Sequence, residues 1–438
     1  MKPYPTYKDS GLSWLGSIPP HWTVLPLKYF LGINRETLPE NTPADYAIEY
    51  LDIGNVGSTG IIGPAERMIF KDAPSRARRI VKPGDTVIST VRTYLKAIAH
   101  IDDCSNNFVA STGFAVLTPG KDVLPRYVAY VVHGYAFINQ VTAESKGVNY
   151  PAITSVELGN IKITTVTDLS EQAAIVAYLD RKTADIGRFI TKKRQLIALL
   201  TEQKVAIINQ AVTRGLNPDV PMRESGIEWL GEFPAHWARK HLKYLFREAD
   251  RRTVTGEQGL LSLRLKQGLI DDPKEASGLI QPKDIIGYKI TEPGEVVLNR
   301  MQASNGLFGI TPRLGLVSPD YAVFQPGPDV VPGYFIQLFN TSQMRTKFHQ
   351  ESKGLGDGSS GFLRLYSDRF GAITVAVPPV SEQNAILAFI NAKSAVIGKA
   401  ISRIEREIEL IQEYRTTLIS EAVTGKIDVR GAVRNLTT

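Results

Sequence analysis

The chain has 438 residues, more than one ordinary core carries, so two or more domains are expected. Hydrophobic residues at 43% and charged ones at 22% exclude a disordered or fibrous class, while 51 Lys and Arg against 44 Asp and Glu give a mild +7. One cysteine, Cys104, excludes an internal disulfide and a cysteine-based zinc site and fits a reducing compartment.

No apolar signal region opens the sequence, and uncharged stretches such as Tyr127 to Ala143 fall short of the ~20 residues of a membrane span. A soluble, cytoplasmic protein without membrane partners is expected.

The first recognisable element is repeated. Residues 10–29 read SGLSWLGSIPPHWTVLPLKY and residues 225–244 read SGIEWLGEFPAHWARKHLKY, identical at eleven of twenty positions. All four tryptophans, Trp14, Trp22, Trp229 and Trp237, lie in these two segments. Further matches follow in the same order: Pro83-Gly84-Asp85 with Pro293-Gly294-Glu295, Glu144-Ser145-Lys146-Gly147 with Glu351-Ser352-Lys353-Gly354, and Ser170-Glu171-Gln172 with Ser381-Glu382-Gln383. Ala211-Val212-Thr213 answers Ala422-Val423-Thr424. The chain is two copies of a unit of about 210 residues, each too long for a solenoid repeat.

Within each copy the first ~165 residues are rich in Gly, Pro and short β-type runs. Strands are predicted at Thr86–Ser89, Phe114–Leu117 and Ile161–Thr164, with counterparts at Glu295–Leu298, Tyr321–Phe324 and Ala372–Val377. Helices are predicted over Pro125–Val141 and Pro332–Phe348, with Pro near the first turn. That makes an α+β module.

A proline-free stretch follows, opened by Ser170 or Ser381 as N-cap, with Glu171 or Glu382 where the helix dipole favours an anion. Apolar residues recur every three or four, as in Ile386, Ile390, Ile397, Ile401, Ile404, Ile408 and Ile411. A helix of ~44 residues, about 65 Å long, with so narrow a seam suits helix-on-helix pairing. Each helix could also pack on its own module. The return of the chain favours an antiparallel coiled coil. Gly187 and Gly398 inside the helices suggest close backbone approach or a bend.

Catalytic constellations are missing. There is no phosphate loop, nucleophile elbow or H-E-x-x-H helix, and the six histidines lack metal-ligand spacing. His21 and His236 sit in the repeated Pro-x-His-Trp segment, where packing or hydrogen bonding is the better reading. Asp329 with Glu351 and Lys353, echoed by Asp122, Glu144 and Lys146, resembles the carboxylate set of a magnesium-dependent nuclease. A predicted helix separates those carboxylates. A scaffold protein without DNA function is the remaining alternative.

Cations are spread over both copies, 24 against 19 anions in residues 1–215 and 27 against 25 in residues 216–438. Arg76, Arg78 and Arg79 precede a strand that Arg92, Tyr94 and Lys96 follow; the matching region of copy two offers Asn299, Arg300, Gln302 and Asn305. The loops after Glu-Ser-Lys-Gly add Lys146, Asn149 and Tyr150 in one copy, and Lys353, Ser360 and Arg364 in the other. Arg suits guanine, Asn and Gln suit adenine, and Lys and Ser suit phosphates. Alone, the Arg76 cluster reads as a solvated face. Two polar regions at equivalent positions with different residues read as two readers of different sequences.

On the duplicated S-G-x-x-W-L-G-x-x-P-x-H-W opening, the duplicated S-E-Q-x-A-I helix entry at 170–175 and 381–386, and the Ala-Val-Thr helix ends, the chain resembles the specificity subunit of a type I restriction–modification system over essentially its whole length. The resemblance implies target-recognition domains at 1–167 and 216–379, long spacer helices at 168–215 and 380–425, and a tail at 426–438. It implies that each recognition domain reads half of a bipartite site on double-stranded DNA. The helix pair would set the spacer and dock two methyltransferase subunits and two restriction motor-nuclease subunits. No catalytic residue, cofactor or metal is then expected in this chain; S-adenosylmethionine, ATP and magnesium would belong to the partners.

Overall fold

The structure is a computed structural model that describes all residues except Met1, Thr59, Glu228, Lys266, 356–361 and 432–438. It divides into two compact units, residues 1–194 with 405–438 and residues 195–404, so that each long helix contributes to both. The chain mixes strands with helices, the longest being Leu169–Arg214 and Val380–Val423, of 46 and 44 residues.

The central sheet of the first unit has four antiparallel strands in the order Ile98–His100, Thr86–Ser89, Phe114–Pro119 and Leu31–Ile33. Thr86–Ser89 is buried along its whole length, which suits its run of β-branched residues. A second sheet orders Glu66–Ile69, Ala47–Leu51, Phe108–Ser111 and Ala77–Ile80, with one parallel pair between Ala47–Leu51 and Phe108–Ser111.

In the second unit the central sheet runs Phe246–Ala249, Tyr321–Pro326, Val296–Asn299 and Phe308–Ile310, again antiparallel. Repeat-equivalent strands therefore occupy the same places in the two central sheets. Beside it stand two-stranded pairs instead of a second four-stranded sheet: Leu261–Arg264 with Gly268–Asp271, and Lys289–Thr291 with Gly315–Val317.

Each helix predicted between the later strands is two helices. In the first unit Pro125–His133 and Tyr135–Glu144 meet at Gly134, where a Cβ would lie 3.1 Å from Val423 Cγ2. In the second, Pro332–Phe339 gives way to Ser342–Glu351, whose cap Thr341 accepts from the Met344 N–H.

The caps of the long helices also differ from expectation. The first helix begins at Leu169, and the carboxylate of Asp168, not Ser170, caps it by accepting from the Ser170 N–H at 2.8 Å. The second begins at Val380, so Ser381 lies inside the first turn, and the Pro379 carbonyl accepts from the Gln383 N–H. Proline supplies only that carbonyl, which is all the position needs.

The repeated Glu-Gln pair docks each helix on its module. Glu171 accepts from His21 Nε2 at 2.9 Å, Trp22 Nε1 at 3.0 Å and the Tyr4 hydroxyl at 2.7 Å. Glu382 accepts from His236 Nε2 at 2.8 Å and Trp237 Nε1 at 3.1 Å. A carboxylate only accepts, so both histidines carry the proton on Nε2. Gln172 accepts from the Leu124 N–H and donates to the carbonyls of Asp122 and Val166; Gln383 repeats this with Val331, Asp329 and Pro378. The histidines are structural.

The end of the other helix closes on the same tryptophan. In the first unit Gly425 adopts φ +71° and a Cβ there would lie 3.3 Å from the Trp22 ring and 2.5 Å from Pro19 Cδ. In the second, Gly215 has φ +75°, and its Cβ would lie 3.4 Å from the Trp237 ring. Both glycines serve positive φ and close approach at once. Leu418, Ala422 and Val423 accordingly join the core of the first unit with Ile175 and Leu179, and Ala211 and Val212 join that of the second with Ile386 and Ile390. An ion pair between Lys193 and Glu407, 2.6 Å, adds a helix-to-helix contact within the first unit.

Two expectations need correction. A Cβ at Gly187 or Gly398 meets nothing within 4 Å, so close backbone approach does not account for either glycine. One 18-residue window of Val380–Val423 is apolar enough to cross a bilayer by length and composition, which the search for uncharged stretches overlooked.

Removing the carboxylate leaves buried donors without an acceptor, which costs about 1–3 kcal/mol. In urea unfolding, Glu171→Ala is expected to lose more stability than Glu382→Ala, because Tyr4 adds a donor to Glu171 and its side chain is 4% exposed against 25%. Equal, negligible losses would contradict the docking role.

Burial holds His133 below the usual histidine value, outweighing the carbonyl of Ala129 that Nδ1 meets at 2.7 Å; burial likewise lowers His100, against the opposing pull of Asp102. The unfolded chain then binds more protons below pH 6.5, so stability contributed by these groups falls as pH drops below that value. Unfolding between pH 7.5 and 5.5 is expected to show this slope, reduced in His133→Gln. An unaltered slope in that variant would contradict the assignment.

Candidate nucleic-acid interface

In the first unit the backbone joins two segments that lie far apart in sequence. Val91 bridges Ala152, the Ile153 N–H donates to the Thr90 carbonyl, and the Thr93 hydroxyl donates to Ser145 Oγ at 2.8 Å. The turn carrying Arg92, Tyr94 and Lys96 therefore lies against the loop carrying Lys146, Asn149 and Tyr150. Arg92 stacks its guanidinium on the Tyr150 ring at 4.9 Å, and Tyr94 and Tyr150 are 52% and 65% exposed. Lys146 is tied to Glu157 at 2.6 Å, and Asn149 is exposed. Hydrogen bonds from Lys146 and from Thr154 hold the Glu157 carboxyl down at about 2.

The arginine cluster before strand Ala77–Ile80 splits by direction. Arg76 donates to Asp52 Oδ2 at 3.0 Å and to the Tyr50 hydroxyl at 3.3 Å. Burial alone would raise Asp52, but hydrogen bonds from Tyr50, the Gly54 N–H and Arg76 hold it below the usual carboxylate range. Arg78 lies over the Phe70 ring at 4.7 Å, while Arg79 is half-buried beside Thr37 with Nε unbonded. A cavity of about 580 Å³ brings Arg76 and Arg92 to one hollow. Asp52 and Leu95 share it, and neither carries a sequence signal that marks it.

The second unit joins the equivalent segments. The Leu365 N–H donates to the Arg300 carbonyl, and strands Lys353–Leu355 and Phe362–Arg364 pair so that Lys353 faces Arg364. Asn299 caps the turn Arg300–Asn305 by accepting from the Met301 N–H, leaving Gln302 and Asn305 exposed. Arg300 is held by Glu248 at 2.6 Å and Ser367 at 3.1 Å, and Arg364 by Asp320 at 2.7 Å. A base contact by either guanidinium has to compete with its carboxylate. Asn299 is buried, so it serves the turn rather than the surface. Ser360 lies outside the described residues.

The nuclease-like carboxylates are engaged separately. Asp329 pairs with Lys240 at 2.7 Å, while Glu351 pairs with Lys347 at 2.6 Å and faces Arg369 at 3.8 Å. Among the described residues no group of three His, Cys, Asp or Glu could hold a metal ion. Cys104 donates to the Val81 carbonyl, and burial pushes its thiol up to about 11.

No family model matches the chain, and no curated protein does. Solved structures do. A chain from a structure described as the basis of complex assembly and conformational transition of the type I R-M system superposes with TM-score 0.66 at 19% identity, covering 94% of this chain and 99% of its own. The HsdS subunit from Thermoanaerobacter tengcongensis matches with TM-score 0.52 at 17% identity, covering 94% and 98%. This chain has the fold of the type I restriction–modification S subunits.

Proposed function

We propose that the chain is a sequence-specific DNA-binding specificity subunit, without catalysis of its own, in a type I restriction–modification complex. The observation that carries the reading is the contrast between the two halves of each module. The His-Trp to Glu-Gln docking is the same in both. The joined loops differ: Arg92, Tyr94, Lys96, Asn149 and Tyr150 in one, Gln302, Asn305, Lys353 and Arg364 in the other. A common mount with unlike polar tips is what two readers of unlike half-sites require. The shared fold supports it.

In this reading lysines supply salt-sensitive phosphate contacts, and Arg, Asn and Gln supply base contacts. Arg76, Arg78 and Arg79 flank the first reader, with Arg76 best presented; Arg300 would have to exchange Glu248 for a base. The two modules form a pseudo-repeat, and the long helices pair as an antiparallel coiled coil that sets the spacer between half-sites. Continuous helices of 46 and 44 residues, each shared between both units, support that pairing. Two adenine methyltransferase subunits would bring S-adenosylmethionine. Restriction subunits would bring ATP- and magnesium-dependent motor-nuclease activity.

Selection from random DNA by the chain bound to an adenine methyltransferase tests the reading. Two defined blocks separated by unspecified bases are expected. Arg92→Ala is expected to relax or weaken one block and leave the other unchanged; equal loss at both would contradict modular reading.

Inserting one helical turn, four residues, into both long helices at exposed positions is expected to lengthen the accepted spacer with both blocks preserved. An unchanged spacer would contradict the ruler.

A further inference from the structure

The hollow in the first module has a chemistry that phosphate contacts do not explain. Asp52, Arg76 and Arg92 line it together with the apolar Ile53, Val91 and Leu95. Asp52 accepts from the Gly54 N–H on Oδ1, and from Tyr50 and Arg76 on Oδ2. That uses three of about four lone-pair sites and leaves one acceptor position on Oδ1. Arg76 uses two of a guanidinium's five N–H donors on Tyr50 and Asp52. An acceptor and donors thus stand side by side, as a nucleobase edge requires. A phosphate offers acceptors alone and would meet the negative charge of Asp52.

Shape points the same way. Side chains that read bases inside a groove must protrude, whereas these polar groups line a concavity. What protrudes is the neighbouring turn. Among the described residues three non-glycines have positive φ, and two of them, Arg92 at 51° and Lys96 at 52°, bracket Thr93–Leu95. Such backbone is disfavoured for residues with a Cβ and persists only where the surroundings enforce it. Here Thr93 is buried and anchored to Ser145 and to the Pro151 carbonyl, while its own carbonyl accepts from Lys96. The strained frame leaves Tyr94 and Leu95 52% and 46% exposed, between two cations. Apolar and aromatic side chains so presented are the kind that enter base steps and unstack them.

We propose that Tyr94 and Leu95 enter the base stack of the first half-site and that the hollow lined by Asp52 and Arg76 receives the nucleobase displaced. This rests on the DNA-binding reading above. The displaced base lies outside the helix, its polar edge on Asp52 and Arg76 and its faces among the apolar side chains. Specificity at that position comes from the hollow, not from a groove contact.

The test uses the complex of the full chain with its adenine methyltransferase. DNA containing the selected site carries, at each position of the first half-site in turn and excluding the adenine that is methylated, a fluorescent analogue that pairs as the native base does, 2-aminopurine where that base is adenine. Binding is expected to raise the fluorescence several-fold at one position. Tyr94→Ala with Leu95→Ala, exposed changes that leave the fold intact, is expected to abolish the rise and weaken binding several-fold. Asp52→Asn is expected to reduce discrimination at that base. Sequence-specific binding with no rise at any position would overturn base displacement while leaving the DNA-binding reading in place; absence of sequence-specific binding would overturn both. A rise that persists in the double variant, or tighter binding by Asp52→Ala as for a phosphate site, would overturn the assignment to these residues.

Discussion

A carboxylate in the first turn of each long helix holds the architecture together. Glu171 and Glu382 each face a histidine and a tryptophan from the start of their own module, and the neighbouring glutamine ties the same helix turn to the start of helix Pro125–His133 or Pro332–Phe339. A carboxylate as buried as Glu171, 4% exposed, is tolerated only when its lone pairs are filled, and the helix N-terminus adds a favourable field. The docking is directional. It fixes where each helix leaves its module.

The tryptophan ring at this junction also meets the end of the second helix involved, through Gly425 in one unit and Gly215 in the other. Each unit is thus assembled from one module, the beginning of the helix that follows it and the end of the other helix. In the second unit a covalent linker enters after Gly215. In the first, segments near Lys2 and Asp428 meet: the Asp428 N–H donates to the Lys2 carbonyl, Lys426 donates to the Leu15 carbonyl, and Arg430 stacks on Tyr4 at 4.9 Å. Tyr4 in turn reaches Glu171, which connects the tail to the same junction. Fixing the mount in this way frees the distal loops to vary, and they differ in both residues and structure.

Much of this was legible in the sequence because duplication marks what the fold cannot change. The Pro-x-His-Trp and Ser-Glu-Gln segments stand out as repeats, and a proline-free run with apolar steps of three and four can only be a long helix. Their mutual contact was not legible, since His21 and Glu171 are 150 residues apart and neither pattern names its partner. Caps misled for a local reason: Asp168 and Pro379 satisfy the first turn two residues earlier than the serines would. Gly134, where the helix breaks, lies against Val423, a contact nearly 290 residues away that the local sequence does not reveal. At the candidate interface, composition pointed to Arg76 and Arg92 separately, while the shared hollow and Asp52 required the strand pairing. Burial of Asn299 and the hold of Glu248 on Arg300 were equally invisible, because residue type does not reveal which polar groups the fold itself consumes.

The most direct test of the central claim is a methylation map of DNA from cells that express a partner adenine methyltransferase with and without this chain. The account predicts methylated adenines at one split motif that appear only when the chain is present. Marks at the same positions without the chain would contradict its role as the reader of the site.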